Sequence, residues 1–319
     1  MIEVTGLRKS FGPTAALSGV DIAAREGSVH ALIGENGAGK STLLRILAGA
    51  LAPDAGSMTL GGQPYRPESP EDARFRGVAM VHQELSLCPH LTVAENVLLG
   101  QEPSRYGLLQ RREMELRASE ALRPIVGVDH PLDLGKRAAD LSPASQQLVE
   151  IGRALASPKL RVLILDEPTS SLGRADVERL FTVIRALRGR GLTILYVSHF
   201  LEEVKEIADT YTVLRDGWAV GEGAMAEATL PEIVEKMAGR KVEELFPRSP
   251  RPVGEALLEV TDLAGAIKPK RASFVLHRGE VVGIAGLLGA GRTELCRAIF
   301  GLDPVRSGSI RVGAMMGPA

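Results

Sequence analysis

Three short segments carry residue types that could do phosphate chemistry. The first, Gly34-Glu35-Asn36-Gly37-Ala38-Gly39-Lys40-Ser41, fits the pattern G-x-x-x-x-G-K-[ST]. Its glycines let consecutive backbone N–H groups curl round a phosphate, Lys40 reaches the outer phosphates, and Ser41 can ligate Mg²⁺. The candidate nucleotide-binding positions of this segment run from Gly34 through Thr42. The second segment, Arg161-Val162-Leu163-Ile164-Leu165-Asp166-Glu167, ends an apolar run in two acids. Asp166 can hold Mg²⁺, directly or through water, and Glu167 can orient and deprotonate an attacking water. Read alone, the same pair also caps a following helix. In the third, Thr193 to Val197 leads into Ser198-His199, whose imidazole could donate to a terminal phosphate or simply lie exposed after a strand.

Such residues converge only if strands deliver them to one edge. Val29 to Ile33 is a short apolar run ending in Gly34, and after Lys40-Ser41 a helical period brings Leu43, Leu44 and Leu47 onto one face. Strand, Gly-rich loop and helix are the context this loop pattern requires, which disfavours a plain Gly-rich turn. The runs at 162–166 and 193–197 read as buried strands of a parallel sheet, and their acids and histidine then fall at its carboxyl edge, where ligands bind.

With 319 residues, the chain is long enough for about two domains at roughly 150 residues each. An internal repeat agrees. Gly27 to Lys40 is echoed by Gly279 to Arg292, 252 positions on; Gly49 matches Gly301, Gly56-Ser57 matches Gly308-Ser309, and Glu3-Val4-Thr5 matches Glu259-Val260-Thr261. The segmentation is a first unit over 1–238, with a helical part at about 90–155, a Pro- and charge-rich linker over 239–256, and the opening of a second unit over 257–319.

Thirty-eight Lys+Arg against 39 Asp+Glu disfavour a nucleic-acid partner. The longest uncharged apolar stretch, 281–291, has 11 residues, and a bilayer takes about 20. The start MIEVTGLRKSFG, with Glu3, does not read as an export leader, so a cytoplasmic location is expected. Cys88 and Cys296 lack His or Cys neighbours at metal spacing and read as isolated thiols.

The order of these motifs resembles the ATP-binding subunits of ABC transporters, over the whole first unit. The resemblance implies an α/β P-loop NTPase fold of the ABC type: a parallel core sheet, an N-terminal antiparallel β region, a helical subdomain, and the start of a second such domain. It implies ATP and Mg²⁺ as cofactors. Phe11, in Lys9-Ser10-Phe11-Gly12, corresponds to the aromatic that stacks on adenine; by itself it reads as an edge aromatic. Gln83, in Val81-His82-Gln83-Glu84, corresponds to the loop glutamine that senses Mg²⁺ and the attacking water; by itself it reads as a solvated amide. His199 corresponds to the switch histidine. Leu141-Ser142-Pro143-Ala144-Ser145-Gln146-Gln147 stands where the family has Leu-Ser-Gly-Gly-Gln. Ser142 suits a helix N-cap and Pro143 the first helical position, and Pro143 offers no N–H to a phosphate. Gly173 stands where the family usually has Asp. The implied roles are Glu167, His199 and Gln83 in hydrolysis, Ser41, Gln83 and Asp166 around Mg²⁺, and Phe11, Ser142 and the loop 34–42 in nucleotide binding.

Tandem halves, Gln146-Gln147-Leu148-Val149-Glu150-Ile151, the linker residues 239–247 and a second loop ending Gly-Ala-Gly-Arg-Thr-Glu-Leu narrow the resemblance to the ribose/galactose-type carbohydrate importers. It implies a peripheral protein at the cytoplasmic membrane face, working with integral membrane permease subunits and indirectly with a periplasmic or extracellular solute-binding protein. Arg292 stands where Lys40 stands in the first loop, so weaker nucleotide handling is expected there. Two other readings stay open: a ribosome-acting tandem ATPase, and an ATP-binding chain without transport activity. The second unit is expected to stop before counterparts of Gln83, Ser142, Asp166 and His199. It should then be poorly stabilised, with hydrolysis slow unless two copies pair through their own Ser142 segments.

Overall fold

Residues Val29–Gly34 (VHALIG) form a strand, β3, in which every position is buried, as a strand covered on both faces requires. The computed structural model describes residues 1–125, 132–240, 253–286, 289–313 and 315–318. They fall into two units, Met1–Leu245 and Phe246–Ala319.

In the first unit, β1 (Ile2–Phe11), β2 (Thr14–Ala24), β4 (Ala55–Leu60) and β5 (Gln63–Pro64) make an antiparallel sheet in the order β2-β1-β4-β5. A six-stranded sheet lies beside it, ordered β12-β11-β3-β10-β9-β6, with β6 at Val78–Val81, β9 at Val162–Asp166, β10 at Thr193–Val197, β11 at Thr210–Arg215 and β12 at Trp218–Ala224. The pairs from β11 across to β6 are parallel and only β11–β12 is antiparallel. Its two faces feed two cores. Leu32, Val162, Ile164, Leu195 and Val197 pack with the antiparallel sheet and with α1 (Lys40–Leu47), through Leu43, Leu44 and Leu47. The alternate residues Ala31, Ile33, Leu163, Leu165, Ile194 and Tyr196 form the other core.

Helices cover that second face. Preceding them, α2 (Pro70–Arg76) starts at the N-cap Ser69. The helical part contains α3 (Val93–Val97), held by a Thr92–Glu95 capping box, then α4 (Arg111–Leu122) and α5 (Pro143–Leu155). Between α3 and α4 a small hairpin forms, β7 (Ser104–Arg105) with β8 (Leu108–Leu109). Its turn needs left-handed backbone at both Tyr106 (φ 53°) and Gly107 (φ 79°), and only the glycine advertises this in the sequence. Then α6 (Arg174–Gly189), α7 (Leu201–Ile207) and α8 (Leu230–Ala238) alternate with the last strands. Gly239 closes α8 in the left-handed region, and 241–252, most of the expected linker, lie outside the described residues.

The second unit repeats the antiparallel sheet. Strands β13 (Ala256–Gly265), β14 (Ala272–His277), β15 (Val305–Val312) and β16 (Met315–Pro318) follow the order β14-β13-β15-β16, matching β2-β1-β4-β5, and α9 (Arg292–Ile299) packs Leu295 and Ala298 against Val260 and Leu263. Among the described residues of this unit, β3 has no counterpart. Residues Val281 to Ile284 echo β3 in sequence, yet they lie in no strand, and Val281 is 87% exposed. β3 is held on its two sides by β10 and β11, which come later in the first unit; among the described residues of the second unit no parallel partner flanks 281–286. Leu287 and Leu288 of the second loop lie outside the described residues.

Candidate functional site

Parallel pairing sets the site. Val197 lies opposite both Leu32 and Asp166, and Val81 opposite Leu165, so the ends of β3, β10, β9 and β6 share one edge. The chain leaves that edge at Gly34, Glu167, Ser198 and His82.

The loop after β3 is fitted to its surroundings by two glycines. A Cβ at Gly34 would stand 2.4 Å from the carbonyl oxygen of Leu214 in β11, so only glycine lets the loop leave so close to its neighbour. Gly39, with φ 104°, forms the N-cap of α1, and a Cβ there would stand 2.5 Å from the Ala16 carbonyl oxygen. Ala38 N–H bonds back to the Glu35 carbonyl at 3.2 Å, and the Ala38 carbonyl accepts the Gly217 N–H at 3.1 Å. Glu35, Asn36, Gly37 and Ser41 are exposed, while Thr42 is half-buried. Lys40 is buried and folds its ammonium back into the loop, donating to the carbonyls of Gly34 at 2.7 Å and Glu35 at 3.0 Å.

Charge couples this lysine to the end of β9. Burial lowers the Lys40 pKa, while the carboxylates of Glu167 and Asp166 act to raise it. Burial holds the Asp166 carboxyl above the ordinary range and the charge of Glu167 pushes the same way, opposed by His82, Lys40 and Arg45. Glu167 adopts φ 47°, unusual for a residue with a Cβ, and is fixed by its N–H bond to the Val197 carbonyl at 3.0 Å. Its Oε2 lies 3.2 Å from Nδ1 of His199, and the His199 ring packs on Phe200 with centroids 4.0 Å apart.

The remaining expected residues are Gln83, at the same edge, and Phe11 and Ser142, elsewhere in the fold. Gln83 is exposed just after β6, at the shared edge. Phe11 ends β1 with 51% of its surface exposed, and the Lys9 ammonium lies 5.9 Å from its ring centre. Ser142 is the N-cap of α5, accepting the Ser145 N–H at 3.3 Å, and Pro143 takes the first helical position as its ring geometry favours. Among the described residues, no hydrogen bond or ion pair joins Phe11 or Ser142 to Lys40, Asp166, Glu167 or His199.

Sequence reasoning missed a cluster of buried hydroxyls around a half-buried carboxylate near this edge. Oε2 of Glu203, on α7, accepts from Thr169 Oγ1 at 2.7 Å, Tyr196 OH at 2.9 Å and Ser198 Oγ at 3.0 Å. Burial pushes the Tyr196 hydroxyl well above its ordinary pKa, and the Glu203 charge pushes it further. The four residues share no local pattern; only the run Glu202-Glu203 directly after the strand–histidine segment hinted at an acid near the edge.

Known proteins with this arrangement are plentiful. The profile of the ABC transporter family matches residues 17–170. A ribose import ATP-binding protein of Rubrobacter xylanophilus is 47% identical over 312 residues, covering 98% of this chain and 62% of its own. A putative ribose/galactose/methyl galactoside import ATP-binding protein of Ralstonia nicotianae is 44% identical, covering 98% of this chain and 60% of its own. Unit 1 holds an ABC transporter ATP-binding domain. A nucleotide-free ATP-binding cassette from an ABC transporter overlays with a TM-score of 0.65 at 25% identity, over 78% of this chain and 99% of that one. Another ABC transporter cassette, in its ADP conformation, gives 0.65 at 27% identity over 75% and 99%. The chain spans about three fifths of the length of the curated relatives it matches.

The donor set at the edge suits Mg²⁺. A hydroxyl at Ser41, a carboxylate at Asp166 and an amide oxygen at Gln83 are hard oxygen ligands of the kind that ion takes beside phosphate oxygens and waters. The described residues contain no cluster of three or more His, Cys, Asp or Glu that would hold a metal by protein ligands alone.

Proposed function

We propose that the first unit binds Mg-ATP and hydrolyses it to ADP and phosphate, and that the chain energises import of a sugar or similar small polar solute. The observation that carries the reading is the Lys40 ammonium, bonded to the Gly34 and Glu35 carbonyls inside a glycine-fitted loop and in charge contact with Asp166 and Glu167. The relatives named as ribose import ATP-binding proteins support the solute class.

The ATP phosphates lie in the loop 34–42, where backbone N–H groups, the α1 N-terminus and Lys40 meet their charge. Phe11 stacks on the base. Ser41, Asp166 and Gln83 hold Mg²⁺, which neutralises charge on the phosphates. Glu167 accepts a proton from water as its oxygen attacks the terminal phosphorus, the bond to the ADP oxygen breaks, and His199 donates to the oxygens of the transferred group. Ser142 belongs to a surface that completes a nucleotide site on another ATP-binding domain. Arg292 begins α9 exposed, its planar guanidinium standing where the first loop has the Lys40 ammonium, and the second loop handles nucleotide weakly. Among the described residues no helix is long and apolar enough to cross a membrane. Permease subunits bind the protein at the cytoplasmic face and choose the solute with their binding protein.

Titration with ATP tests the site. Lys40→Ala should weaken binding about ten- to a hundredfold, the loss of charge-assisted hydrogen bonds worth about 1.5–3 kcal/mol, while Glu167→Gln binds as tightly as the unaltered chain. Unchanged affinity in Lys40→Ala would remove the loop from the site. Co-purification with two membrane subunits is expected for the importer; sedimentation with ribosomes instead would overturn that part.

A further inference from the structure

The Glu203 cluster is not used by the reaction as described, yet it ties together the two segments that carry Glu167 and His199. Thr169 lies two residues beyond Glu167, and its carbonyl accepts the Leu172 N–H at 3.0 Å, so the bond from Thr169 to Glu203 anchors the turn leaving β9. On the other side, Tyr196 and Ser198 belong to β10 and its exit. Ser198 Oγ donates to Glu203 and accepts the Phe200 N–H at 3.0 Å, which pins the residues on both sides of His199. All three donors are nearly inaccessible, with Thr169 at 4%, Tyr196 at 0% and Ser198 at 1% exposure. One carboxylate oxygen therefore collects three hydroxyl bonds from two segments, and removing it leaves three buried hydroxyls to find new partners.

We propose that Glu203 is a positioning residue for ATP hydrolysis: through Thr169 and Ser198 it fixes the exits of β9 and β10 relative to each other, and so keeps Glu167 and His199 within contact. The inference rests on the proposed ATPase reading of the site. Nucleotide affinity is left unchanged by Glu203, because the loop 34–42 takes its shape from β11, β2 and α1, and no hydrogen bond of the cluster reaches it. Small displacements at the reacting centre reduce turnover strongly while leaving the binding of distant substrate groups unaltered.

The test is steady-state phosphate release by the full chain, with ATP affinity measured separately by titration. Glu203→Ala should lower kcat at least tenfold with ATP affinity within twofold of the unaltered chain. Glu203→Gln, which keeps an acceptor oxygen, should recover kcat to within about threefold. Thr169→Val should reduce kcat too, and the double variant Thr169→Val/Glu203→Ala should be no slower than Glu203→Ala alone, since both remove one network. If Glu203→Ala does not fold, as judged by its melting curve, Glu203→Gln and Thr169→Val are judged on the same split between kcat and affinity. Equal kcat in Glu203→Ala and the unaltered chain would overturn the positioning role and leave the ATPase reading standing. Loss of affinity in step with kcat would overturn it also, assigning the cluster to the fold. No hydrolysis by the unaltered chain, with ATP still bound, would defeat the ATPase reading itself and this role with it.

Discussion

Oε2 of Glu167 lies 3.2 Å from Nδ1 of His199, and the contact follows from strand register. β9 and β10 run parallel with Asp166 opposite Val197, and one further bond, from the Glu167 N–H to the Val197 carbonyl, extends the pairing past the end of β9. The left-handed backbone at Glu167, which costs about 1–2 kcal/mol for a residue with a Cβ, turns the chain away at that point. A carboxylate and an imidazole are thereby delivered to the same edge from segments that share no sequence neighbourhood.

The roles proposed for them separate under mutation. Glu167→Gln removes the proton acceptor but keeps the shape of the side chain, so hydrolysis should fall about 10²- to 10⁴-fold with ATP still bound. His199→Ala removes a donor to the transferred group, and about 10²- to 10³-fold is expected. Because the two side chains touch, the double variant should lose less than the product of the single losses. Independent multiplication in phosphate-release assays would mean that they act separately.

Much of this was legible in the sequence because it depends on local pattern. The apolar runs at Val29–Gly34, Val162–Asp166 and Thr193–Val197 have no alternation and lead into Glu35, Glu167 and Ser198, so both their burial and the sheet edge at which they end could be read directly. Ser142-Pro143 announced a helix start. The repeat carried over into three dimensions even in detail: Gly6 (φ 60°) and Asp262 (φ 52°) interrupt β1 and β13 at matching places. What was hidden depends on partners distant in the chain. Glu203 looks like one of several helix-surface acids until α7 is set against Thr169 and Ser198. Val281 to Ile284 looks like β3 until its pairing is considered, because among the described residues no strand flanks it, and a strand is made by its neighbours as much as by its residues.

Phe11 offers a test of how the base is held. Half of its surface is free at the end of β1, so truncating it should leave the fold intact. Phe11→Ala should weaken ATP by about 1–3 kcal/mol, the range for stacking of a base on an aromatic ring, and inorganic triphosphate hardly at all. Parallel titrations measure the difference. The same loss for both ligands would assign Phe11 to the shape of the β1–β2 hairpin.

His30 predicts how stability responds to acid. It sits in β3 with 3% of its surface exposed, Nδ1 2.8 Å from Thr210 Oγ1 and Nε2 3.0 Å from Thr212 Oγ1. Burial lowers its pKa from 6.5 to about 4. The unfolded chain therefore binds a proton at His30 that the folded chain refuses. Above pH 6.5 this costs nothing; as pH falls from 6.5 toward 4 stability is lost progressively, by up to about 3 kcal/mol. Denaturant melts of the unaltered chain and of His30→Gln across that window should converge toward low pH, the variant showing a shallower slope. Identical slopes would place the acid sensitivity elsewhere.

The fit of the phosphate loop can be probed through two glycines that differ in what surrounds them. A Cβ at Gly34 would stand 2.4 Å from the Leu214 carbonyl oxygen and 3.1 Å from the Ala38 Cβ, so Gly34→Ala must move either β11 or the loop. A Cβ at Gly37 would meet nothing within 4 Å, and its only difficulty is φ 86°. Overpacking against a backbone atom costs about 1–3 kcal/mol, whereas left-handed backbone at a residue with a Cβ costs about 1–2 kcal/mol, which an exposed loop can relieve by shifting. Gly34→Ala should therefore lower the melting temperature of the first unit more than Gly37→Ala. In ATP titrations both should lose affinity, since each alters the line of N–H groups proposed to face the phosphates. A Gly34→Ala chain that melts and binds ATP like the unaltered protein would mean that the approach of the loop to β11 does not shape the phosphate site.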